Sequence, residues 1–341
     1  MAETKTGSQR KPVLPLLASS PHIAAPVNSR MLMGNMLIAL TPVSIFSVVI
    51  FGLPVLLNII VAVAAAVGGE VLFRLATRQD IRARDLSAGV TGLLLALVIP
   101  PSLPLWMTAL GALFAVIMAK EFFGGLGANV FNPALAGRAF LLMSFPSAMT
   151  TWHIPQESFP LALTDATSGA SYLGTLKTGV EVAVPYPEMV KEMFFGYHAG
   201  SAGETSAILI LAAFVYLLAT KTIDWRAPVS MILTVFVAGF LLGFDPLLAV
   251  LSGGALFGAV YMTTDYVTSP LPLWGKVIFG AGAGLITILI RKFGTYPEGV
   301  CYSILIMNCA VPFLNKLLPR KYGYVPKKAT PSQKATAGGS K

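Results

Sequence analysis

Apolar runs long enough to cross a bilayer recur along almost the whole chain, and this leaves few folds open. A hydrocarbon core about 30 Å thick takes roughly 20 helical residues to span. Inside it every backbone polar group needs a partner within the protein, so runs of this kind fold as transmembrane helices. Breaking the hydropathy at charges and at Pro/Gly clusters predicts about ten spans, near 31–51, 53–73, 86–100, 105–120, 130–146, 205–220, 228–243, 246–262, 274–290 and 299–317. Charged residues make up only 11% of the chain, against about 25% in an ordinary soluble domain. The expected class is an all-α polytopic membrane protein.

The regions between and around these spans divide the chain. Residues 1–30 carry Lys5, Arg10, Lys11 and several prolines without an apolar run, unlike a cleavable signal peptide. Residues 318–341 are rich in Lys, Gly, Ser, Thr and Ala, a composition that cannot bury a core. Both read as disordered tails flanking two five-helix sets, 31–146 and 205–317, with one long polar interval, 147–204, between them. The two cysteines, Cys301 and Cys309, fit neither a metal pair nor a redox motif and read as small polarizable helix residues.

Basic loops stay on the cytoplasmic side of a membrane. With the N-terminus inside, only Lys177, Lys191, Arg291 and Lys292 of the 24 basic residues fall outside, Arg138 falls within a helix, and all the others face inward. This predicts cytoplasmic tails and an extracytoplasmic 147–204 interval, which is acidic through Glu157, Asp165, Glu181, Glu188, Glu192 and Glu204. The net charge of +9 is then explained by an anionic inner leaflet, and nucleic acid is not needed as a partner.

The halves echo one another. Leu86-Ser87-Ala88-Gly89 answers Leu251-Ser252-Gly253-Gly254, Leu103-Pro104-Leu105-Trp106 answers Leu271-Pro272-Leu273-Trp274, and Gly111-Ala112 answers Gly280-Ala281. The offset is five helices, an odd number, so the two sets are expected to lie in opposite orientations as inverted repeats. Such repeats place sites where helices are interrupted. Two segments qualify: Gly124-Gly125-Leu126-Gly127-Ala128-Asn129-Val130-Phe131-Asn132-Pro133-Ala134, and Glu298-Gly299-Val300-Cys301-Tyr302-Ser303 with Asn308 and Pro312. Ionisable groups within spans are candidates by default. Arg138 suits either a counter-charge for an anion or a bond to a helix-terminal carbonyl; Glu70 and Glu121 are expected to snorkel at the inner face; Asp265 suits either a cation or the cap of a following turn.

Within the polar interval stands Asp165-Ala166-Thr167-Ser168-Gly169-Ala170-Ser171, then Tyr172-Leu173-Gly174-Thr175. Small residues there let a bulky group approach the backbone, and a hydroxyl such as that of Ser171 is able to carry a phosphoryl group. Read alone, the stretch is equally a turn-prone loop.

This loop resembles the flavinylation motif of the RnfD/NqrB family, membrane subunits of ion-pumping respiratory complexes. The resemblance extends to Phe131-Asn132-Pro133-Ala134, to the Gly258–Pro270 stretch and to Glu298-Gly299-Val300 with Tyr302, Ile304, Leu305, Met307 and Asn308, and it covers most of residues 31–317. The short N-terminal stretch favours the RnfD branch, that of the Rnf complex. The resemblance implies FMN joined through its phosphate to Ser171 as a phosphodiester, with Asp165, Ser168, Gly169 and Ala170 shaping the loop; Thr167, Ser168 and Thr175 are the alternative hydroxyls. Ser171 stands where Thr is more usual, and Tyr266 where the family often has Pro.

The implied activity is electron transfer between ferredoxin and NAD coupled to movement of Na+ or H+. The implied partners are RnfA, RnfB, RnfC, RnfE and RnfG, a flavin transferase and membrane lipid. A second, non-covalent flavin between the repeats is left open. The chain has no dinucleotide fingerprint and no cysteine cluster, so NAD and iron–sulfur centres are expected on partners. The rival reading is a channel for small polar solutes built on the same inverted-repeat architecture.

Overall fold

The computed structural model describes residues 28–80, 85–153, 168–169, 172–178, 185–204, 206–296 and 298–317. Both tails expected from the sequence lie outside the described residues.

The chain is mostly helical. The long helices are α1 (Ser29–Phe51), α2 (Leu53–Ala76), α4 (Leu105–Ile117), α10 (Arg226–Leu241), α13 (Leu273–Phe293) and α14 (Val300–Leu314). Shorter ones are α3 (Ser87–Val98), α5 (Pro133–Ser144), α6 (Pro146–Met149), α7 (Tyr172–Thr178), α8 (Tyr186–Phe195), α9 (Ala207–Ala219), α11 (Pro246–Leu251) and α12 (Ala255–Phe257). Among the described residues, five helical stretches are long and apolar enough to cross a membrane: Ser29–Phe51, Leu53–Ala76, Leu105–Phe123, Leu273–Phe293 and Val300–Leu317.

Helix starts follow local chemistry. The Asn28 carboxamide accepts from the Met31 N–H at 2.8 Å and opens α1. Asn132 caps α5 with Pro133 behind it, and Asp245 caps α11 with Pro246 behind it; in both, the proline occupies a first-turn position that has no helical N–H bond to lose. Three expected spans are shorter or broken. The 86–100 and 130–146 runs fold as the 12-residue helices α3 and α5. The 246–262 run splits into α11, α12 and a π-helical turn, Gly258–Met262. The split falls at Gly253 and Gly254, whose φ values of +62° and +66° no helix accommodates.

The pairwise packing of the two sets is similar. α2 packs on α3 and α4, and α4 on α5; α10 packs on α11 and α13, and α13 on α14. Glycines allow this approach. A Cβ on Gly92 would sit 2.7 Å from the Ala62 carbonyl oxygen of α2, and one on Gly280 would run into the Ala227 carbonyl oxygen of α10. Alanine, leucine and valine from both sets form one continuous core in which Leu40, Leu95, Leu97, Tyr261, Phe279 and Ile304 are fully buried. The exposed side chains of the long helices are themselves apolar, among them Ile45, Leu72, Leu233, Phe240 and Leu285, as a lipid-facing surface requires.

Candidate functional site

The two interrupted segments read from the sequence meet. Helices α5 and α14 pack together, and each presents polar groups to the start of the other. The Arg138 guanidinium on α5 is ion-paired with Glu298, just before α14. With its amide turned, Asn308 on α14 accepts from the Asn132 backbone N–H at the α5 start at 3.0 Å and donates to the Thr268 carbonyl at 3.1 Å. Between these pairs the Cys301 thiol points at the Leu135 carbonyl, 3.3 Å away. Of the two roles open to Arg138, the structure shows the pairing with a carboxylate.

Around Glu298 lies a buried charge cluster. Arg291, at the end of α13, is fully enclosed; its Nε donates to the Glu298 carbonyl at 3.1 Å, Nη2 to the Ser252 carbonyl at 2.8 Å, and Nη1 to that of Ala249. The break between α11 and α12 takes the helical donor from the Ala249 carbonyl, and the guanidinium substitutes for it; the Ser252 carbonyl also accepts a turn bond from the Ala255 N–H at 3.5 Å. Glu204 is 6% exposed, and its Oε1 lies beside the positive-φ Gly254, where an added Cβ would stand 2.8 Å away. His198 lies in the loop before it. Burial pushes its imidazole down to about 4 despite the Glu192 carbonyl nearby, so the ring is neutral at pH 7.

The described segments on either side of Asp165–Ser171 border this cluster. Upstream, β1 (Trp152–His153) pairs antiparallel with β2 (Ser168–Gly169), Trp152 opposite Gly169 and His153 opposite Ser168. Downstream, α7 begins at Tyr172. Trp152 lines a small cavity of about 20 Å³ with Arg138, Glu298, Tyr296 and Tyr302, whose two tyrosine rings stack 6.1 Å apart. Tyr172 and Leu173 line a second, of about 10 Å³, with His198, Glu204, Ser252 and Glu298. Asp165, Ala170 and Ser171 themselves lie outside the described residues, as does Thr167, and Ser168 and Gly169 are placed by their backbone alone. Thr175 bonds its hydroxyl to the Tyr172 carbonyl, 2.8 Å away.

At the other end of α5 a second cluster is buried. Lys120 donates to Glu70 Oε2 at 2.7 Å and to Ser87 Oγ at 2.6 Å, while Arg74 reaches Glu121 at 3.1 Å and Glu70 at 3.7 Å. Glu70 is 0% and Glu121 3% exposed. The expected snorkelling is therefore corrected: opposite charges from α2 and the end of α4 keep these carboxylates inside, where pairing offsets their desolvation. A cavity of about 50 Å³ between the halves is lined by Asn129, Asn132, Thr91, Lys120, Tyr261 and Asp265. Asp265 accepts from the Thr268 hydroxyl at 2.8 Å, and its carbonyl accepts from the Ser269 N–H at 3.1 Å, which is the role of capping a following turn.

Sequence reasoning passed over Arg291, Glu204 and His198. The signal for Arg291 was present: it is one of the few cations on the side expected to lack them, and a misplaced charge next to a span asks for an internal partner.

These features define a polytopic helical membrane protein with paired charges buried where two interrupted helices cross. The chain belongs to the NQR2, RnfD, RnfE family, whose model matches residues 16–323. It is 41% identical over 320 residues to the D subunit of the proton-translocating ferredoxin:NAD(+) oxidoreductase complex of Clostridium ljungdahlii, covering 90% of this chain and 96% of that one. It is 40% identical over 311 residues to the D subunit of the Na(+)-translocating ferredoxin:NAD(+) oxidoreductase complex of Acetobacterium woodii, with 90% and 95% covered. To the D subunit of the ion-translocating oxidoreductase complex of Stutzerimonas stutzeri it is 37% identical over 323 residues, with 86% and 91% covered.

Proposed function

We propose that this chain is the D subunit of an ion-translocating ferredoxin:NAD oxidoreductase, carrying electrons through FMN bound covalently to Ser171 and coupling their flow to Na+ or H+ movement. The observation that carries the reading is the position of the motif: the residues flanking it on both sides, Trp152 and Tyr172, line cavities that share Glu298. The residue types present suit such a group at the surface, since the flanking cavities, about 20 and 10 Å³, do not enclose a flavin. Trp152, Tyr296 and Tyr302 supply aromatic faces for a planar ring, and the small residues Ser168, Gly169 and Ala170 leave the backbone open beside Ser171. Bound flavin would supply one- and two-electron transfer; the chain's own residues anchor it, order its attachment loop through β1 and β2, and keep charge compensated beneath it.

The matching packing of α2–α5 and α10–α14 supports two inverted five-helix repeats, 31–146 and 205–317, separated by the 147–204 interval. The basic-residue asymmetry supports cytoplasmic tails and an extracytoplasmic motif. Partners in this reading are the other Rnf subunits and a flavin transferase. The cavity between the halves, about 50 Å³, is far below the roughly 300–1,000 Å³ of cofactor pockets, so a second flavin there requires its walls to part.

Mass spectrometry of the chain expressed with its flavin transferase, wild type and Ser171→Ala, tests the assignment. A peptide containing Ser171 should carry the mass of an FMN phosphodiester that vanishes in the variant. An unmodified wild-type peptide alongside an active transferase would remove the main support for the redox reading and move the solute-transport reading ahead.

A further inference from the structure

A cavity of about 580 Å³ opens beside the link between α9 and α10, sharing no lining residue with the cavities that flank the motif, and its chemistry is that of an anion site. Three cations, Lys221, Arg226 and Lys276, stand at its wall against one carboxylate, Asp224. That carboxylate bridges two of them. Arg226 Nη1 and Lys276 Nζ each lie 3.0 Å from Asp224 Oδ2, which holds the two cationic heads side by side and leaves positive charge in excess. Burial alone would raise the Asp224 carboxyl, but the Arg226 backbone N–H and the two cations outweigh it and keep the group below its ordinary value. The Asp224 carboxylate is therefore ionised throughout the physiological range.

Two helices add to the same field. α10 begins at Arg226 and α13 at Leu273, so the positive ends of both helix dipoles lie at the cavity wall. Thr263, Thr264 and Ser269 line it as well, the two threonine hydroxyls donating to the Ala259 and Val260 carbonyls. The rim has the opposite character. Trp225 is 53%, Leu271 68%, Leu273 55% and Trp274 75% exposed, and Arg226 lies over the Trp225 ring at 5.3 Å. Exposed tryptophans at the end of apolar helices mark the membrane–water interface.

We propose that this cavity binds the phosphate headgroup of an anionic phospholipid, with the acyl chains leaving over Trp225, Leu271 and Trp274. A soluble phosphate would satisfy the cations but would gain nothing from that apolar rim, whereas a lipid satisfies both. In the orientation proposed above the cavity faces the cytoplasmic leaflet, where anionic lipids concentrate. The proposal rests on the membrane reading but not on the flavin: Ser171→Ala should leave lipid binding unchanged, so the two assignments fail separately.

The test uses the full chain within its purified complex, in nanodiscs of phosphatidylcholine with increasing phosphatidylglycerol. Native mass spectrometry reads retained lipid, and thermal unfolding reads stabilisation. Wild type should retain phosphatidylglycerol in preference to phosphatidylcholine. Lys221→Gln, at an exposed position, should raise the half-saturating mole fraction about fivefold, Lys221→Gln/Lys276→Gln more than tenfold, and Lys221→Arg should behave as wild type. Equal retention of phosphatidylcholine, unchanged retention in Lys221→Gln, or the same stabilisation from inorganic phosphate alone would each overturn the lipid assignment, the last in favour of a soluble phosphate site.

Discussion

The ion pair between Arg138 and Glu298 allows a test whose outcome depends on which partner is removed. Arg138 is 4% exposed, and its nearest countercharge is Glu298. Breaking a buried pair from one side costs about 3–5 kcal/mol, whereas replacing both partners with apolar groups is often close to neutral. The two single losses differ because a guanidinium cannot discharge and a carboxyl can. Glu298→Gln strands a permanent cation, so its cost should be about 3–5 kcal/mol and independent of pH. Arg138→Met strands a carboxyl that escapes by binding a proton. From an ordinary carboxyl value of about 4.3, protonation costs about 4 kcal/mol at pH 7 and about 1 kcal/mol at pH 5. Burial already holds the Glu298 carboxyl above its ordinary value with Arg138 beside it, and removing Arg138 raises it further. The native variant then binds more protons than the unfolded chain between the two values, so its stability falls as pH rises through that window. Unfolding in detergent at pH 5 and pH 7, followed by intrinsic fluorescence, should show Arg138→Met recovering about 2 kcal/mol or more at the lower pH, Glu298→Gln unchanged, and Arg138→Met/Glu298→Met close to wild type. Additive costs in the double variant, or a flat pH profile for Arg138→Met, would refute the pairing argument.

Two further outcomes follow from packing and from the stranded carbonyls. Gly92→Ala forces a Cβ within 2.7 Å of the Ala62 carbonyl oxygen and 2.8 Å of Val63 Cα, both backbone atoms that cannot rotate aside, and should cost about 1–3 kcal/mol; Gly89→Ala on the same helix meets nothing within 4 Å and should gain about 0.5–1 kcal/mol in the same thermal assay. Arg291→Lys replaces a planar fork by a point charge that cannot reach the carbonyls of Ala249, Ser252 and Glu298 together, so at least one buried acceptor loses its donor; a cost of about 1–3 kcal/mol, with faster amide exchange across 249–258, is the expected result.

Much of this arrangement is legible in the sequence because hydropathy and helix-breaking residues report local physics. The apolar runs predict α1, α2, α13 and α14 to within a few residues, and the Asn132-Pro133 and Glu298-Gly299 segments are recognisable as interruptions because their chemistry suits helix starts. What the sequence conceals is the pairing across distance. Glu70 and Lys120 are fifty positions apart, and nothing in the local pattern of either says that both turn inward; Arg138 and Glu298 come from different halves. Helix lengths are concealed for a related reason. Residues 86–100 and 246–262 carry no charge and are mostly apolar, so hydropathy extends the helix, while the backbone stops where Gly253, Gly254 or a Pro100-Pro101 pair requires it. The motif loop was legible only by its resemblance to a family, since a run of small and polar residues carries no period.

The short helices explain why so much charge is buried in a chain with so little. A 12-residue helix such as α3 rises about 18 Å, well short of a 30 Å hydrocarbon core. At least one of its ends must therefore lie at membrane depth, where stranded backbone groups have no water to bond. The structure supplies a side chain at each such place. Past the C-terminus of α3, the Asn58 amide donates to the Pro101 carbonyl at 3.1 Å, and Asn58 is itself fixed by the Thr108 hydroxyl at 2.7 Å. At its N-terminus, Asp85 Oδ1 accepts from the Ser87 backbone N–H at 2.9 Å, while Lys120, neutralised by Glu70, holds the Ser87 hydroxyl. In the second half Arg291 serves the break after α11, and Ser252, which it meets, echoes Ser87 in the sequence. A cation such as Arg291 that serves a break needs a carboxylate nearby, which accounts for Glu204 and Glu298 there, while Glu70 and Glu121 pair with Lys120 and Arg74 beside the start of α3. The same interruptions that bring α5 and α14 together therefore also require the charged residues found around them, and the segments flanking the motif sit directly over one of these compensated clusters.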